Sequence, residues 1–422
     1  MAAAILTCMA APSTAQTADP AQVLGLTLED VMQLALDKNL DIEVQRIDPQ
    51  AYDYSLAELT AAYKPVFTSQ IGTQTTVNPS TSTIAGASAA SGIETGVSTF
   101  NAGISNNLPW GGGVLTATLN NNRQTTTSGT TLFNPAYNTS YSVQYTQPLL
   151  QGFAIDNTRA QIQITRINQE MSELQLEATI VNTLSDVRNA YWDLVYAVEA
   201  VEVARQSVDL ADKLVGDNEN RMQIGTLAPI DVVQARSQAA TQQKLLVQAE
   251  AARKRADLAL KALIVSDPTD ASWTATIDPL DRPTFEPEPI DVGAAVRHAL
   301  ASRTDLARAR KSLEASDVAL SNVRNQLLPE INFVARYGLT GLGGTQYQRS
   351  GTGITGEVVN TVAGGYADAF GSLFGANYPA WSAAVNITIP LGNSAAQASA
   401  ARASLQREQA GTQLQKIELQ IA

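Results

Sequence analysis

The chain has 422 residues, with 40 acidic against 28 basic side chains and a net charge of −12, which argues against a nucleic-acid binder with a basic face. One cysteine and one histidine exclude a Cys/His zinc site, a Cys–His nucleophile pair and a disulfide framework. No apolar run reaches the roughly 18 residues of a membrane-spanning helix.

Charge is segregated along the chain. From Val66 to Gln147 only Glu94 and Arg123 are charged, and from Ile331 to Asn393 only Arg336, Arg349, Glu357 and Asp368. Phe153 to Ser266 carries 27 charges in 114 residues. Ser/Thr/Asn/Gly-rich segments alternate with Ala/Leu/Gln/Glu-rich ones, as if for two surroundings.

Ala2 to Pro12 is apolar, and Ser13-Thr14-Ala15 fits a small-x-small cleavage site, so residues 1–15 read as the end of a secretory signal peptide. The first basic residue is Lys38, so on this reading the chain begins inside its signal and Cys8 leaves with it. A lipidated Cys8 is the alternative, and Thr7 counts against it.

The first charge-poor window carries strands at about 66–77 and 138–148. Phe67 and Ile71 face one side and Thr68, Gln70 and Gln74 the other; Tyr141, Val143 and Tyr145 alternate with Ser142, Gln144 and Thr146. Segments of about ten residues with one apolar face are the pattern of outer-membrane strands, and also of a soluble β-sandwich. Near absence of charge on the polar faces favours the former. Residues 94–123 form a hairpin-like segment turning at Pro109-Trp110-Gly111-Gly112-Gly113, either two further wall strands or a longer external loop.

From Ile164 apolar residues step by three and four, and after a slip near Leu184 the pattern resumes at Val187, Tyr191, Leu194, Val198 and Val201, a heptad-like seam with a stutter. Residues 153–221 would be about 100 Å long as one helix. A second helix over 231–264 has its seam at Val232, Ala235, Ala239, Leu246 and Leu260, and Gly225 to Asp231 turns between the two. Residues 267–289, rich in proline and acid, read as a crossover around the waist of the fold. Residues 290–422 return to helix and then strand, with Ile331, Phe333, Ala335 and Tyr337, and later Ala383, Val385 and Ile387, on alternating faces.

Prolines mark four helix–strand joins: Pro65, Pro148, Pro329 and Pro390. Proline removes a backbone donor and biases the residue before it to extended geometry. Four joins predict four principal strands. Shifted by 264 residues the chain overlays itself without a gap: Ala35-Leu36 on Ala299-Leu300, Asp41 on Asp305, Asp53 on Asp317, Pro65 on Pro329. Pro148 matches Pro390 at an offset of 242. Such self-similarity indicates a duplicated unit, residues 26–266 and then 290–422.

The order and spacing of these elements resemble the TolC-like outer-membrane efflux protein family. Leu26 to Asn39 resembles its N-terminal signature, Arg221 to Val232 its helix–turn–helix tip, and Gln147 to Phe153 its strand-to-helix return. The resemblance implies an α+β membrane protein in which long coiled-coil hairpins and antiparallel strands form a trimeric β-barrel continued by an α-helical barrel. It implies an outer-membrane channel that passively exports solutes delivered by an inner-membrane transporter and a periplasmic adaptor, in a tripartite efflux or type I secretion system, with neither enzyme activity nor cofactor. Four strands cannot close a barrel, and three copies would supply twelve. The adaptor would meet the tip at Arg221, Ile224, Gly225 and Thr226, with Asp231 capping the returning helix.

Three features depart from the family pattern. Asp48-Pro49 falls inside an expected helix, where an N-cap followed by proline would restart it. The 94–123 segment is extra. After Pro390 roughly 80 to 90 residues are fewer than the duplication leads one to expect, the part where the family keeps its second tip and acidic ring. His298 reads as a partly buried structural residue. Gly341-Leu342-Gly343-Gly344-Thr345 lacks the Lys-Ser/Thr of a phosphate loop and reads as an external turn. Glu170, Glu173 and Glu177 read as a solvated face. Two rivals are a trimeric adhesin, which would place its barrel once at the C-terminus, and a polysaccharide-degrading enzyme, which would need paired carboxylates on its strands.

Overall fold

The computed structural model describes residues 23–79, 92–283, 289, 291–351, 356–389 and 395–422. The signal-peptide reading, Cys8 and Pro390 lie outside them. The chain divides into two units, Met1–Pro49 with Ser172–Asp305, and Gln50–Met171 with Leu306–Ala422.

In the first unit β1 (Val23–Leu26) pairs in parallel with β6 (Thr276–Pro279). Helix α1 (Leu28–Lys38) starts on a capping box: Thr27 Oγ1 accepts the Asp30 N–H at 3.2 Å and Asp30 Oδ2 accepts the Thr27 N–H at 3.0 Å. Val31 and Ala35 on its inner face meet Val187, Tyr191, Leu194, Leu260, Ile264 and Ile277 in one core. Three of these come from α3 (Asn157–Gln223) and two from α4 (Pro229–Ile264), which form the long hairpin. Lys261 is buried, so its charge must be matched. Asp257 Oδ2 lies 2.6 Å from its ammonium, which also donates to the Ala275 carbonyl. The four-residue α5 (Ala271–Thr274) and α6 (Val292–Ser302) complete this unit.

Helix α2 (Leu40–Ala61) runs through Pro49 without restarting there. The break comes ten residues earlier, at Asn39, whose Oδ1 accepts the Asp41 and Ile42 N–H groups while Nδ2 donates to the Leu263 carbonyl at 2.9 Å. Asn39 thus caps the start of α2 while bonding α4. Helices α6 and α7 (Thr304–Asn325) begin and end 264 residues after α1 and α2, and β7 (Glu330–Arg349) begins 264 residues after β2 (Val66–Asn78). His298 on α6 is exposed rather than partly buried.

The second unit is built on an antiparallel sheet. Six strands of ten or more residues follow in the order β2, β3 (Ile93–Asn107), β4 (Val114–Thr126), β5 (Phe133–Pro148), β7 and β9 (Pro379–Thr388). The short β8 (Val358–Val362) shares the outer part of the β7 edge. Among the described residues there are six principal strands instead of four, because the 94–123 segment inserts as β3–β4 between β2 and β5. Residues Gly341 to Thr345 lie within β7 and form no turn. A Cβ on Gly341 would come within 2.1 Å of the Ala369 carbonyl oxygen, so glycine here admits helix α8 (Tyr366–Phe374) against the strand. Helix α9 (Ala395–Ile421) is tied to α7 by Arg407–Asp317 at 2.9 Å.

Candidate functional site

The sheet has two faces of opposite character. One row of registered neighbours crosses all six long strands as Phe67, Ile104, Ala117, Val143, Tyr337 and Trp381. The next row, on the other face, is Thr68, Gly103, Thr118, Ser142, Gly338 and Ala380, with the Thr118 and Ser142 hydroxyls 2.9 Å apart. Successive residues of a strand point to opposite faces, so the two rows belong to opposite faces of the wall near its junction end. The inserted β3–β4 follows the alternation there; farther out Glu94, Asn121, Arg123 and Thr139 share the face of Phe67 and Trp381. Near the junction end the apolar face is open, with Phe67 67% exposed and Trp381 80%, more apolar surface than water tolerates over a broad sheet; farther out α8 packs on this face over Thr139 and Gly341.

One end of the wall is the junction end. Pro65 and Pro329 precede β2 and β7, and Pro148 closes β5. The β3–β4 turn lies at this same end, with the Leu108 N–H bonded to the Gly113 carbonyl at 2.7 Å and positive φ at Gly111 and Gly112. Gln147 Nε2 donates to the Gly111 carbonyl at 2.7 Å. Beyond Pro148, Arg159 clamps the return to helix, donating to the carbonyls of Gly152, Phe153 and Ala154 while Asp156 holds its Nε at 2.8 Å. Nothing in the sequence singles out Arg159 beyond its place seven residues after Gly152.

The tip lies in the first unit. Gly225 has φ +75°, the Thr226 N–H reaches back to the Arg221 carbonyl at 2.9 Å, and the Gly225 N–H to that of Met222 at 3.0 Å. This pair of bonds is a Schellman cap, closing α3 on a left-handed glycine. Arg221, Ile224 and Thr226 are exposed around it, Ile224 at 74%. Asp231 is not the cap of α4: the N-cap is Ala228 with Pro229 following, and Asp231 sits in the first turn, where its charge favours the helix N-terminus. Glu170 is ion-paired with Lys311 at 2.6 Å rather than merely solvated. Among the described residues no group of three or more His, Cys, Asp or Glu side chains could hold a metal, and no helix is long and apolar enough to cross a membrane.

Residues 114–265 match the profile of the outer membrane efflux protein family. The chain resembles the outer membrane efflux proteins. Solved structures of such channels share its fold. CusC superposes with a TM-score of 0.61 at 13% identity, over 93% of this chain and 72% of that one. The CmeC outer membrane channel of Campylobacter jejuni gives 0.58 at 15%, over 93% and 68%. The MtrE outer membrane channel of Neisseria gonorrhoeae gives 0.57 at 16%, over 93% and 70%. No curated protein sequence matches the chain. The matched family is one of outer membrane efflux proteins.

Proposed function

We propose that this protein is the outer-membrane conduit of a tripartite efflux or type I secretion system, carrying solutes passively and performing no chemistry on them. The observation that carries the reading is the six-strand wall, whose part nearest the helix junctions has one face apolar and open and the other lined by Thr, Ser, Asn and Gly. Lipid would cover the first and water fill the second. A wall with two free edges cannot stand in lipid, so copies must join, and the family resemblance makes the assembly a homotrimer. The tip at Arg221, Ile224, Gly225, Thr226 and Asp231 is assigned to the periplasmic adaptor, behind which stands an inner-membrane transporter. Arg221 offers a planar donor fork to an adaptor carbonyl or carboxylate.

Planar-bilayer conductance of the detergent-purified protein, with its mass by light scattering, tests the conduit. Discrete channel steps from a trimer support it; a monomer without conductance overturns it. For the tip, Gly225→Trp should abolish efflux and adaptor cross-linking while leaving channel steps intact. Unchanged efflux and cross-linking would remove the adaptor assignment.

A further inference from the structure

Among the described residues both edges of the sheet are unpaired. Every residue of β2 and of β9 is exposed, so two rows of backbone donors and acceptors stand open at opposite ends of the wall. The internal repeat says how they meet. Strand β7 is the 264-residue repeat of β2, and Ser140, Val143, Thr146 and Pro148 on β5 recur 242 residues later as Ser382, Val385, Thr388 and Pro390. Within one chain β5 pairs with β7 as Thr146↔Val334, Gln144↔Arg336 and Ser142↔Gly338. Carried through both offsets, these become Thr388↔Gln70, Asn386↔Gly72 and Ala384↔Gln74. The transposed register keeps Ile387 with Ile71 and Trp381 with Val77 on the apolar face. A shift by one residue would have put every side chain on the wrong face.

We propose that β9 of one copy pairs with β2 of a second copy in this register, and that the inserted β3–β4 hairpin is part of the pore wall, widening it to six long strands per copy. The number of copies rests on the conduit reading above; three copies close eighteen long strands. With strands about 4.8 Å apart and tilted about 40°, eighteen give a backbone diameter of about 36 Å, against about 24 Å for twelve. That is the size class of the porins, which hold an aqueous channel. The outer mouth therefore admits bulkier solutes than a twelve-strand wall would. The insertion is also separable. Across the hairpin Val66 reaches the level of Gln144, and in its absence β2 can pair β5 as Val66↔Thr146, the repeat of the observed Glu330↔Thr388.

Cysteine pairs read the register, in a Cys8→Ser background because Cys8 is the only native cysteine. Opposed residues of an antiparallel pair lie about 4.5–5.5 Å apart at Cα, within disulfide reach. Gln70→Cys with Thr388→Cys should give a ladder of covalent dimers and trimers on a non-reducing gel, whereas Gln70→Cys with Ile387→Cys should give none. The reverse pattern, or no ladder in a protein that conducts, overturns the register. Deleting residues 93–126 tests the width, read by the largest polyethylene glycol that enters the channel from the outer side. The expected result is a conducting trimer whose accessible cross-section falls by about half. An unchanged cut-off overturns the widening, and a wild type that neither conducts nor associates overturns the conduit reading itself.

Discussion

Tyr191 Oη lies 3.0 Å from Asp281 Oδ2, 90 residues apart in sequence. The same phenol oxygen accepts the Asp281 N–H at 3.2 Å and sits 3.2 Å from the Leu26 carbonyl, while Asp281 Oδ2 also accepts the Leu28 N–H at 2.7 Å. One fully buried side chain of α3 thus joins β1, the start of α1 and the segment after β6, and its burial raises the phenol's pKa. Tyr191→Phe keeps the ring and strands the polar groups. It should cost about 1–2 kcal/mol of local stability, read as faster amide exchange in β1 and β6. Exchange as slow as in the wild type would mean that water replaces the hydroxyl without loss.

The Lys38–Asp270 pair makes the first unit acid-sensitive. Lys38 Nζ donates to Asp270 Oδ2 at 2.6 Å and the Ser272 N–H to Oδ1 at 2.9 Å, which together pull the carboxyl from 3.8 to about 2. A depressed folded pKa adds stability that is present above the unfolded value and lost as pH falls through the folded one. The contribution of Asp270 should therefore fade between pH 3.8 and about 2. Asp270→Asn should lower stability at neutral pH and flatten this part of an acid-unfolding curve. A variant curve parallel to the wild type would show the pair to be energetically silent.

Helix α8 gives a prediction of opposite signs at neighbouring glycines. A Cβ at Gly343 would meet the Gly365 carbonyl oxygen at 2.4 Å, so Gly343→Ala must push the helix from the strand, at about 1–3 kcal/mol. Gly371, inside α8, has nothing beyond its own helix's backbone within 4 Å of its missing Cβ, so Gly371→Ala should stabilise the helix by up to about 1 kcal/mol. Limited proteolysis across residues 363–378 reads both: faster cleavage for the first, slower for the second.

How much of this the sequence shows depends on how local the cause is. Of the heptad seam, Val187, Tyr191, Leu194 and Val201 are buried and Val198 partly so, because helical periodicity is imposed by the face that packs. The alternation of Phe67, Tyr141 and Trp381 is legible for the same reason. The strand number is not, because proline marks only strands that run into helices. Strands β3 and β4 run into each other through Gly111 and Gly112, which read equally well as an external loop. Gly341 and Gly343 look like a turn by composition, and the helix that demands them lies about 25 residues further on. Asn39 is inconspicuous in sequence beside Pro49, although its side chain caps α2 and bonds Leu263, more than 200 residues away.

At the tip, backbone and contact requirements can be separated. Gly225 is in the left-handed region with nothing within 4 Å of a built Cβ, so any cost of a small side chain there is conformational rather than steric. Gly225→Ala should loosen the Schellman cap by about 1 kcal/mol. Gly225→Asn should cost less, since asparagine adopts this conformation more readily than alanine. The readout is amide exchange at Thr226, whose N–H makes the bond to the Arg221 carbonyl. If the turn serves only to join two helices, adaptor cross-linking should follow that order of exchange rates, with Gly225→Trp no worse than Gly225→Ala. If the adaptor touches the open space over Gly225, Gly225→Trp should block cross-linking while its exchange at Thr226 stays comparable with that of Gly225→Ala.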